Sequence, residues 1–367
     1  MLKFVGYAAA LCAAVALSVS PAGRVLACTG IRIEAEDGSI VYARTLEFGV
    51  DLQSQVLLLP RGYEFVGTTA SGKPGLTWTS KFAAVGMNAY HYDLLMDGVN
   101  EHGLAAGGFY LPGFAEYQQT NPGEEPQAIA PWEVITWILT NFTNVEEVRA
   151  ALGGIKVAAA PFDERHGVPP LHYIAHDASG KSLVIEYVDG KLHTYDNPIG
   201  VITNSPAFDW HVTNLRNYIN LTASNVPPVA LGQLRLDQLG QGSGLKGLPG
   251  DFTPPSRFVR AVALSQDAFR GRTGADSVRD AFHILDSFDI PRGVVRPAEG
   301  DREPYEYTQW TSAIDLANRT YYFHTYENRR VRSIELAKFN LDAEQPITVV
   351  LDDAGAIETI EPESEVQ

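Results

Sequence analysis

The sequence predicts an α+β fold in which antiparallel strands at both ends of the chain enclose a helical middle. Asp-Gly pairs, which supply the positive φ angles of tight turns, separate strand-like runs within residues 31–44 and 183–195. Apolar residues at helical spacing occupy 132–142 and further segments of the middle of the chain. Strands at both ends with helices between them predict one α+β domain whose terminal strands share sheets.

The elements are expected in the following order. The first hairpin runs from 31–34 through Asp37-Gly38 to 40–44. Further strands are expected at 56–59, 104–111, 183–187, 192–195, 307–316 and 321–326. Helices are expected at 132–142, 145–152, 208–219, 256–269 and 275–288, the second opened by a capping box over 143–146. Linkers rich in Gly and Pro are expected at 119–126, 240–255 and 291–303, and none divides the chain into two compositionally distinct halves.

The N-terminal segment is typical of a signal peptide. Lys3 precedes an apolar run over residues 4–19, and Ala27 fits the small-residue pattern that a signal peptidase reads before its cut. We therefore expect residues 1–27 to be a signal peptide and 28–367 a single catalytic domain. The protein would be exported, periplasmic or secreted, and would begin at Cys28.

An N-terminal Cys28 would carry a thiol and a free α-amine on one residue. The α-amine has a pKa of about 8 in model peptides, so it can act as the general base for the thiol without a histidine. Cys12 would leave with the leader, so Cys28 would be the sole thiol of the mature chain and no internal disulfide is expected. The pattern indicates that Cys28 is the catalytic nucleophile of an amide-hydrolysing enzyme.

Two other interpretations of Cys28 remain open. Residues 25–28 resemble a lipobox, in which Cys28 would be acylated and would anchor the protein to a membrane. The bulky Leu26, and Pro21 and Arg24 between the apolar run and the cysteine, argue against a lipobox. The second alternative is an incidental buried cysteine, since free cysteines are often buried and inert.

The composition limits the classes of molecule that the protein is expected to bind. The sequence has 28 Lys and Arg against 44 Asp and Glu, a formal net charge of −16 that becomes −18 once Lys3 and Arg24 leave with the leader. Such an acidic surface argues against nucleic acid. After Val19 no apolar run approaches the roughly 20 residues needed to span a bilayer. The sequence has no HExxH, paired-Cys zinc or P-loop motif, so we expect a small-molecule substrate and neither metal nor cofactor.

Three segments carry candidate site residues. Arg44 ends the first hairpin and would fold back beside Cys28, where a guanidinium favours thiolate, unless it points to solvent as many strand arginines do. Glu47 would orient the new α-ammonium group, or be an ordinary surface glutamate. Asn204 ends an apolar strand, where its amide would serve as an oxyanion donor or merely form a turn. Either arginine of 256–260, which opens a helix, could point to the site.

Taken together, several stretches resemble the choloylglycine hydrolase family, which holds bile salt hydrolases and penicillin V acylases. The resemblance covers nearly the whole chain after residue 27 and rests on the order and spacing of its motifs. The motifs are CTG (28–30), YARTLE (42–47), MDGVNEHGL (96–104), WE (132–133), TNSP (203–206), GLPGD (247–251) and SRFVR (256–260). The resemblance implies the four-layer αββα sandwich of N-terminal nucleophile (Ntn) hydrolases, and commonly a homotetramer.

The resemblance also implies roles by position. Cys28 matches the nucleophile and Arg44 the arginine beside it, Asn204 matches the oxyanion-hole asparagine, and Arg257 matches the arginine of the helix-opening motif. Tyr110 stands at the second oxyanion position, after a glycine pair. Glu47 departs from the more familiar aspartate, so its contact with the α-amine is in question. Export is a second departure, since many relatives are cytoplasmic.

Tyr110 also bears on the substrate, because penicillin V acylases more often have tyrosine there and bile salt hydrolases usually have asparagine. We therefore expect a penicillin V acylase type of enzyme with an apolar or aromatic acyl site around 90–92 and 109–114, which would also suit long-chain N-acyl homoserine lactones. One alternative is a bile salt hydrolase. Another is a lipid-anchored binding protein that keeps the fold without the activity.

Overall fold

The structure, a computed structural model, describes residues 27–163, 166–296, 305–352 and 354–355. All of the predicted signal peptide except Ala27 lies outside the described residues, as does part of the predicted linker at 291–303.

Short strands make up most of the regular structure. They are β1 Thr29–Glu34, β2 Ile40–Phe48, β3 Val56–Leu59, β4 Glu64–Val66, β5 Thr77–Thr79, β6 Ala84–Met87, β7 Asp97–Asn100, β8 Ala105–Tyr110, β9 Ala128–Ile129, β10 Lys156–Val157, β11 Leu171–His176, β12 Ser182–Val188, β13 Lys191–Asp196, β14 Val229–Leu231, β15 Leu234–Leu236, β16 Tyr307–Asp315, β17 Thr320–Thr325, β18 Arg332–Glu335 and β19 Ile347–Val349. The α-helices are α1 Val134–Asn141, α2 Val145–Ala151, α3 Phe208–Asn214, α4 Pro254–Asp267 and α5 Gly274–Leu285.

Two antiparallel sheets dominate the fold. The smaller has the order β1-β2-β16-β17-β18 and the larger has the order β13-β12-β11-β8-β7-β6-β3-β19. Strands from the beginning and the end of the chain therefore lie side by side in both sheets. This confirms the α+β class and the sharing of sheets by the terminal strands.

The helices cover the outer faces of the two sheets. α4 and α5 pack on β1, β2 and β16, while α1 packs on β7 and β8 and α2 on β12. One hydrophobic core includes residues of both sheets and of α4 and α5, and a second lies between the larger sheet and α1 and α2. The order of layers is helix, sheet, sheet, helix, which confirms the αββα sandwich.

β2 lies at the centre of this packing, and all nine of its residues are buried. Successive side chains of a strand point to opposite faces, so a strand with layers on both sides buries both of its faces. The predicted Asp37-Gly38 turn is confirmed, with Gly38 at φ +83°. The hairpin that it closes pairs Gly30 with Arg44, so the far end of β2 returns to the start of β1.

The capping box predicted at 143–146 lies one residue too early. Asn144 is the N-cap of α2, and its side chain accepts a hydrogen bond from the backbone N–H of Glu147 at 3.0 Å. The carboxylate of Glu147 in turn accepts from the backbone N–H of Thr143 at 2.8 Å. Asparagine competes well with threonine as an N-cap, and the acid three residues after Asn144 is Glu147.

Candidate active site

Cys28 lies immediately before β1 and is buried, with 3% of its surface exposed. The segment after it is fixed from two sides. Gly30 pairs with Arg44 in the hairpin, and it also exchanges backbone hydrogen bonds of 2.8 and 3.0 Å with Ile202. The chain is still joined to Ala27 here, so the nitrogen of Cys28 is a peptide nitrogen that becomes the α-amine only on cleavage.

Asn204 lies two residues after Ile202 and is held against Cys28. Its Oδ1 accepts from the Cys28 nitrogen at 2.7 Å and from Nη2 of Arg257 at 2.7 Å. Its Nδ2 donates to the carbonyl oxygen of Tyr110 at 2.8 Å. These partners fix the orientation of the amide, and because Nδ2 carries two hydrogens, one N–H remains for a substrate oxygen.

Arg257, in the first turn of α4, ties the loop of Asn204 to the nucleophile. Its Nη1 donates to the carbonyl oxygen of Cys28 at 2.5 Å and to Oγ1 of Thr29 at 2.8 Å, and its Nε donates to the carbonyl oxygen of Phe252 at 2.9 Å. The guanidinium is buried, and burial lowers its pKa below the usual value. Of the two arginines expected near the helix start, it is Arg257 that contacts Cys28.

Arg44 lies between the two sheets. Its Nη1 donates to the carbonyl oxygen of Gly108 at 2.7 Å, and its guanidinium carbon lies 4.2 Å from the ring centroid of Phe109 and 5.3 Å from that of Trp310. The alternative of a solvent-facing strand arginine is therefore wrong, because both faces of β2 are covered.

The expected lowering of the thiol pKa is only partly correct. Arg44 does lower the pKa of Cys28, but burial of the thiol is the larger effect, and the net pKa is raised above its ordinary value. Glu47 also raises the pKa of Cys28, and Arg257 lowers it. Cleavage before Cys28 would add an ammonium charge beside the thiol, which would favour thiolate.

Glu47 is buried beside Cys28. Its Oε1 accepts from Oγ1 of Thr308 at 2.9 Å, while its Oε2 is buried and has no hydrogen-bond partner within the described residues. Burial, opposed mainly by Arg257, raises the pKa of Glu47 to about 7. In the uncleaved chain the Cys28 nitrogen donates to Asn204, and the Cys28 thiol lies 3.8 Å from the Glu47 backbone oxygen. The expected contact of the Glu47 carboxylate is with the α-ammonium that cleavage would create, and it stays a prediction.

A cleft opens above Cys28, Arg44 and Glu47. It contains about 890 Å³ that no protein atom fills, counting the part open to solvent. Aromatic residues form much of its wall. They are Phe48, Tyr90, Tyr92, Tyr110, Trp132, Phe162 and Tyr173.

The predicted aromatic acyl site is correct only in part. Tyr90, Tyr92 and Tyr110 line the cleft, whereas Phe109 is fully buried beneath Arg44 and Phe114 lies in a separate groove. The sequence analysis missed Phe162, because Phe-Asp in a polar loop after α2 gives no signal beyond one aromatic residue. No cluster of three or more His, Cys, Asp or Glu suited to a metal ion occurs in the described ranges.

An αββα sandwich with a cysteine at the start of its first strand, beside an arginine and an asparagine, defines the class of N-terminal nucleophile hydrolases. The profile of the family described as linear amide C–N hydrolases, choloylglycine hydrolase family, matches residues 28–349. The chain belongs to this family and hydrolyses linear amide bonds.

Two named activities occur among the relatives of this chain. Over 320 residues the chain is 37% identical to a bile salt hydrolase/transferase of Clostridium perfringens, covering 87% of this chain and 95% of the relative. Over 320 residues it is 28% identical to a penicillin V acylase of Pectobacterium atrosepticum, covering 82% of this chain and 78% of the relative.

Solved structures show the same division. A variant of the conjugated bile acid hydrolase from Clostridium perfringens matches with a TM-score of 0.81 at 34% identity, over 91% of this chain and 100% of that chain. The penicillin V acylase from Agrobacterium tumefaciens matches with a TM-score of 0.70 at 25% identity, over 88% of this chain and 91% of that chain. Between these two structures, the fold is nearer to the bile acid hydrolase.

Proposed function

We propose that this chain is an exported hydrolase of conjugated bile salts, which are amides between a steroid carboxylic acid and a small amino acid. The cleft above Cys28 carries the proposal, because its walls are mostly apolar and its few charged groups lie at the base, beside the nucleophile. A rigid apolar acyl group would bury its surface against these walls and place its amide carbonyl at Cys28. The greater identity to the bile salt hydrolase than to the penicillin V acylase supports the same substrate class.

The catalytic cycle follows from the residues around Cys28. After cleavage the α-amine would accept the thiol proton, and the thiolate would attack the carbonyl carbon of the amide. The oxyanion that forms would accept a hydrogen bond from the free N–H of Asn204. The α-ammonium would protonate the leaving nitrogen as the C–N bond breaks. The amine would then take a proton from water, whose oxygen attacks the thioester carbonyl carbon. The C–S bond breaks, the acid is released, and the sulfur of Cys28 takes back the proton from the α-ammonium.

Penicillin V is the second candidate substrate. Tyr110 supports it, because its ring lies at the wall of the cleft, 5.3 Å from the ring of Phe48, where it would contact a phenoxy group. Long-chain N-acyl homoserine lactones would use the same apolar wall. The position of Tyr110 is evidence from a single residue, whereas the similarity to the bile salt hydrolase extends over most of the chain.

A panel of substrates tests the assignment. The mature protein is incubated under one set of conditions with glycocholate, taurocholate, penicillin V and a long-chain N-acyl homoserine lactone, and kcat/KM is measured for each. Pocket shape typically discriminates by about 10- to 200-fold, so we expect one of the bile salts to exceed penicillin V by at least about tenfold. A tenfold preference for penicillin V would contradict the proposal and favour the penicillin V acylase type.

Export is a further part of the proposal. The leader pattern before Cys28 supports it, and the family profile begins to match at residue 28. No helix in the described part of the chain is long and apolar enough to cross a membrane. N-terminal sequencing of the exported protein should begin at an unmodified Cys28. A mass higher by several hundred daltons would instead indicate the lipid-anchored form, and light scattering would test the expected homotetramer.

A further inference from the structure

The backbone of Thr203 and Asn204 is held by two histidines, whereas the side chain of Asn204 contacts the nucleophile. The carbonyl oxygen of Thr203 lies 3.1 Å from Nε2 of His172, and the carbonyl oxygen of Asn204 lies 2.9 Å from Nε2 of His211. Both histidines are buried, with 1% and 2% of their surface exposed. Two imidazoles therefore contact the carbonyls of two consecutive residues, and the second residue carries the amide that faces the reaction.

His172 is itself oriented by a buried carboxylate. Its Nδ1 lies 2.9 Å from Oε1 of Glu186, which belongs to the neighbouring strand β12 and is fully buried. A carbonyl oxygen can only accept a hydrogen bond, so Nε2 of His172 carries a hydrogen. The contact between Nδ1 and Oε1 of Glu186 requires a second hydrogen, which lies between these two atoms. Glu186 also accepts from the backbone N–H of Phe208 at 3.1 Å, which fixes the carboxylate at the start of α3.

His211 is oriented by an aromatic ring. It belongs to α3, and its imidazole stacks on Phe258 with ring centroids 4.6 Å apart and planes inclined by 15°. Phe258 follows Arg257 in α4, so the same turn of helix that holds the side chain of Asn204 also supports the ring that holds its backbone. Burial lowers the pKa of His211 to about 4, so it is neutral near pH 7 and donates through Nε2–H.

We propose that His172 and His211 are positioning residues, which fix the peptide of Asn204 so that its free N–H points to the oxyanion, and that Glu186 orients His172. This inference rests on amide hydrolysis with Asn204 as oxyanion donor and not on the identity of the acyl group. A displacement of about 1 Å at a catalytic group can cost about 100-fold in rate. Removal of one donor should therefore lower kcat and leave substrate binding in the cleft nearly unchanged.

Two substitutions of His211 separate positioning from packing. His211→Phe keeps a flat ring on Phe258 but removes the donor, whereas His211→Gln places an amide N–H near the original Nε2. With glycocholate we expect His211→Phe to lower kcat by about 10- to 100-fold with KM within about threefold. His211→Gln should restore kcat to within about threefold of the wild type. Equal kcat values for the two variants would overturn the proposal.

A coupling experiment gives a readout that general destabilisation would not produce. Single-turnover rates are measured for His211→Phe in the wild-type and Asn204→Ala backgrounds. If His211 acts through Asn204, the substitution should cost less than about twofold once the amide is absent. The same fold-loss in both backgrounds would overturn the proposal.

A matched control is His324→Phe. His324 is also buried, but its ring centroid lies 5.2 Å from that of Phe282, away from His172, His211 and Asn204. The kcat of this variant should equal that of the wild type. A fall in kcat for this control as large as that of His211→Phe would assign the effect to packing. If the wild type cleaves penicillin V and not glycocholate, the proposed substrate is wrong, while the same ratios measured with penicillin V still decide the role of His211.

Discussion

Substitution of Asn204 gives the sharpest prediction, because its side chain forms hydrogen bonds to three separate segments of the chain. Asn204→Ala removes the acceptor for the Cys28 nitrogen and Arg257, the donor to the Tyr110 carbonyl and the free N–H offered to the oxyanion. Asn204→Asp keeps an acceptor of nearly the same shape but replaces the donor with a carboxylate oxygen facing the Tyr110 carbonyl. The pair of variants therefore separates the acceptor role from the donor role.

The magnitude follows from the lost contacts. Removing one oxyanion donor costs about 2.7–4 kcal/mol, or about 100- to 1,000-fold in kcat. Asn204→Ala also leaves two buried donors, the Cys28 nitrogen and Nη2 of Arg257, and the part-buried Tyr110 carbonyl with one partner fewer. The loss at each buried donor costs about 1–3 kcal/mol of stability. We expect kcat to fall by at least about 100-fold in both variants. The free energy of unfolding should fall more in Asn204→Ala, because the aspartate still accepts from the Cys28 nitrogen and Arg257.

Steady-state kinetics with glycocholate and urea denaturation measure the two effects. Ser205→Ala is the matched control, since it removes one neighbouring hydrogen bond of 2.7 Å to the Pro112 carbonyl. Its stability should fall by about 0.5–1.5 kcal/mol, with kcat within about threefold of the wild type. If Asn204→Ala retains kcat within threefold, Asn204 is not the oxyanion donor and the site has been interpreted wrongly.

Three further outcomes follow from the site. Cys28→Ser should fold normally and lose at least about 100-fold in kcat, since a hydroxyl is a weaker nucleophile than a thiol; wild-type rates would place the nucleophile elsewhere. Phe162→Ala, which removes a ring lying 5.2 Å from that of Trp132 in the cleft wall, should raise KM about tenfold with little change in kcat, and an unchanged KM would exclude this wall from acyl binding. Burial raises the pKa of Glu47 to about 7 and that of Glu306 to about 8, so the folded uncleaved chain holds protons that the unfolded chain releases above about pH 4.5. The free energy of unfolding of the uncleaved chain should therefore fall as the pH rises from 5 to 8, by up to about 3 kcal/mol from Glu47. Glu306→Gln should make that fall smaller, and an equal fall in the variant would contradict the raised pKa of Glu306.

Local features of the fold could be predicted from the sequence. The Asp-Gly turns at 37–38 and 189–190 fix their hairpins, because the backbone angles that they require are properties of two adjacent residues. The hairpin at β14 and β15 was missed, since its strands are three residues long and their side chains are exposed, so they show no buried face. The one-residue error at α2 arose because Thr143 and Asn144 both suit an N-cap.

The assembly of the site could be predicted only in part. Arg44 could be placed beside Cys28, because one hairpin joins them. The contacts of Asn204 with Cys28, 176 residues away, and with Tyr110, 94 residues away, depend on how the two sheets pack, and no local pattern encodes this. The direction of the thiol pKa was missed for the same reason, since burial depends on every layer that surrounds Cys28.

The central claim is that the α-amine of Cys28 performs acid–base catalysis for its own thiol. It is tested most directly by comparing kcat for two purified proteins, one beginning at Cys28 and the other keeping Ala27 before it. Ala27 is buried, and the Cys28 nitrogen is then a peptide nitrogen that donates to Asn204 and cannot accept a proton. General acid–base catalysis contributes about 100- to 10,000-fold, so the extended protein should be slower by at least about 100-fold with its fold unchanged. Equal kcat values, with mass spectrometry showing that Ala27 is retained, would contradict the account.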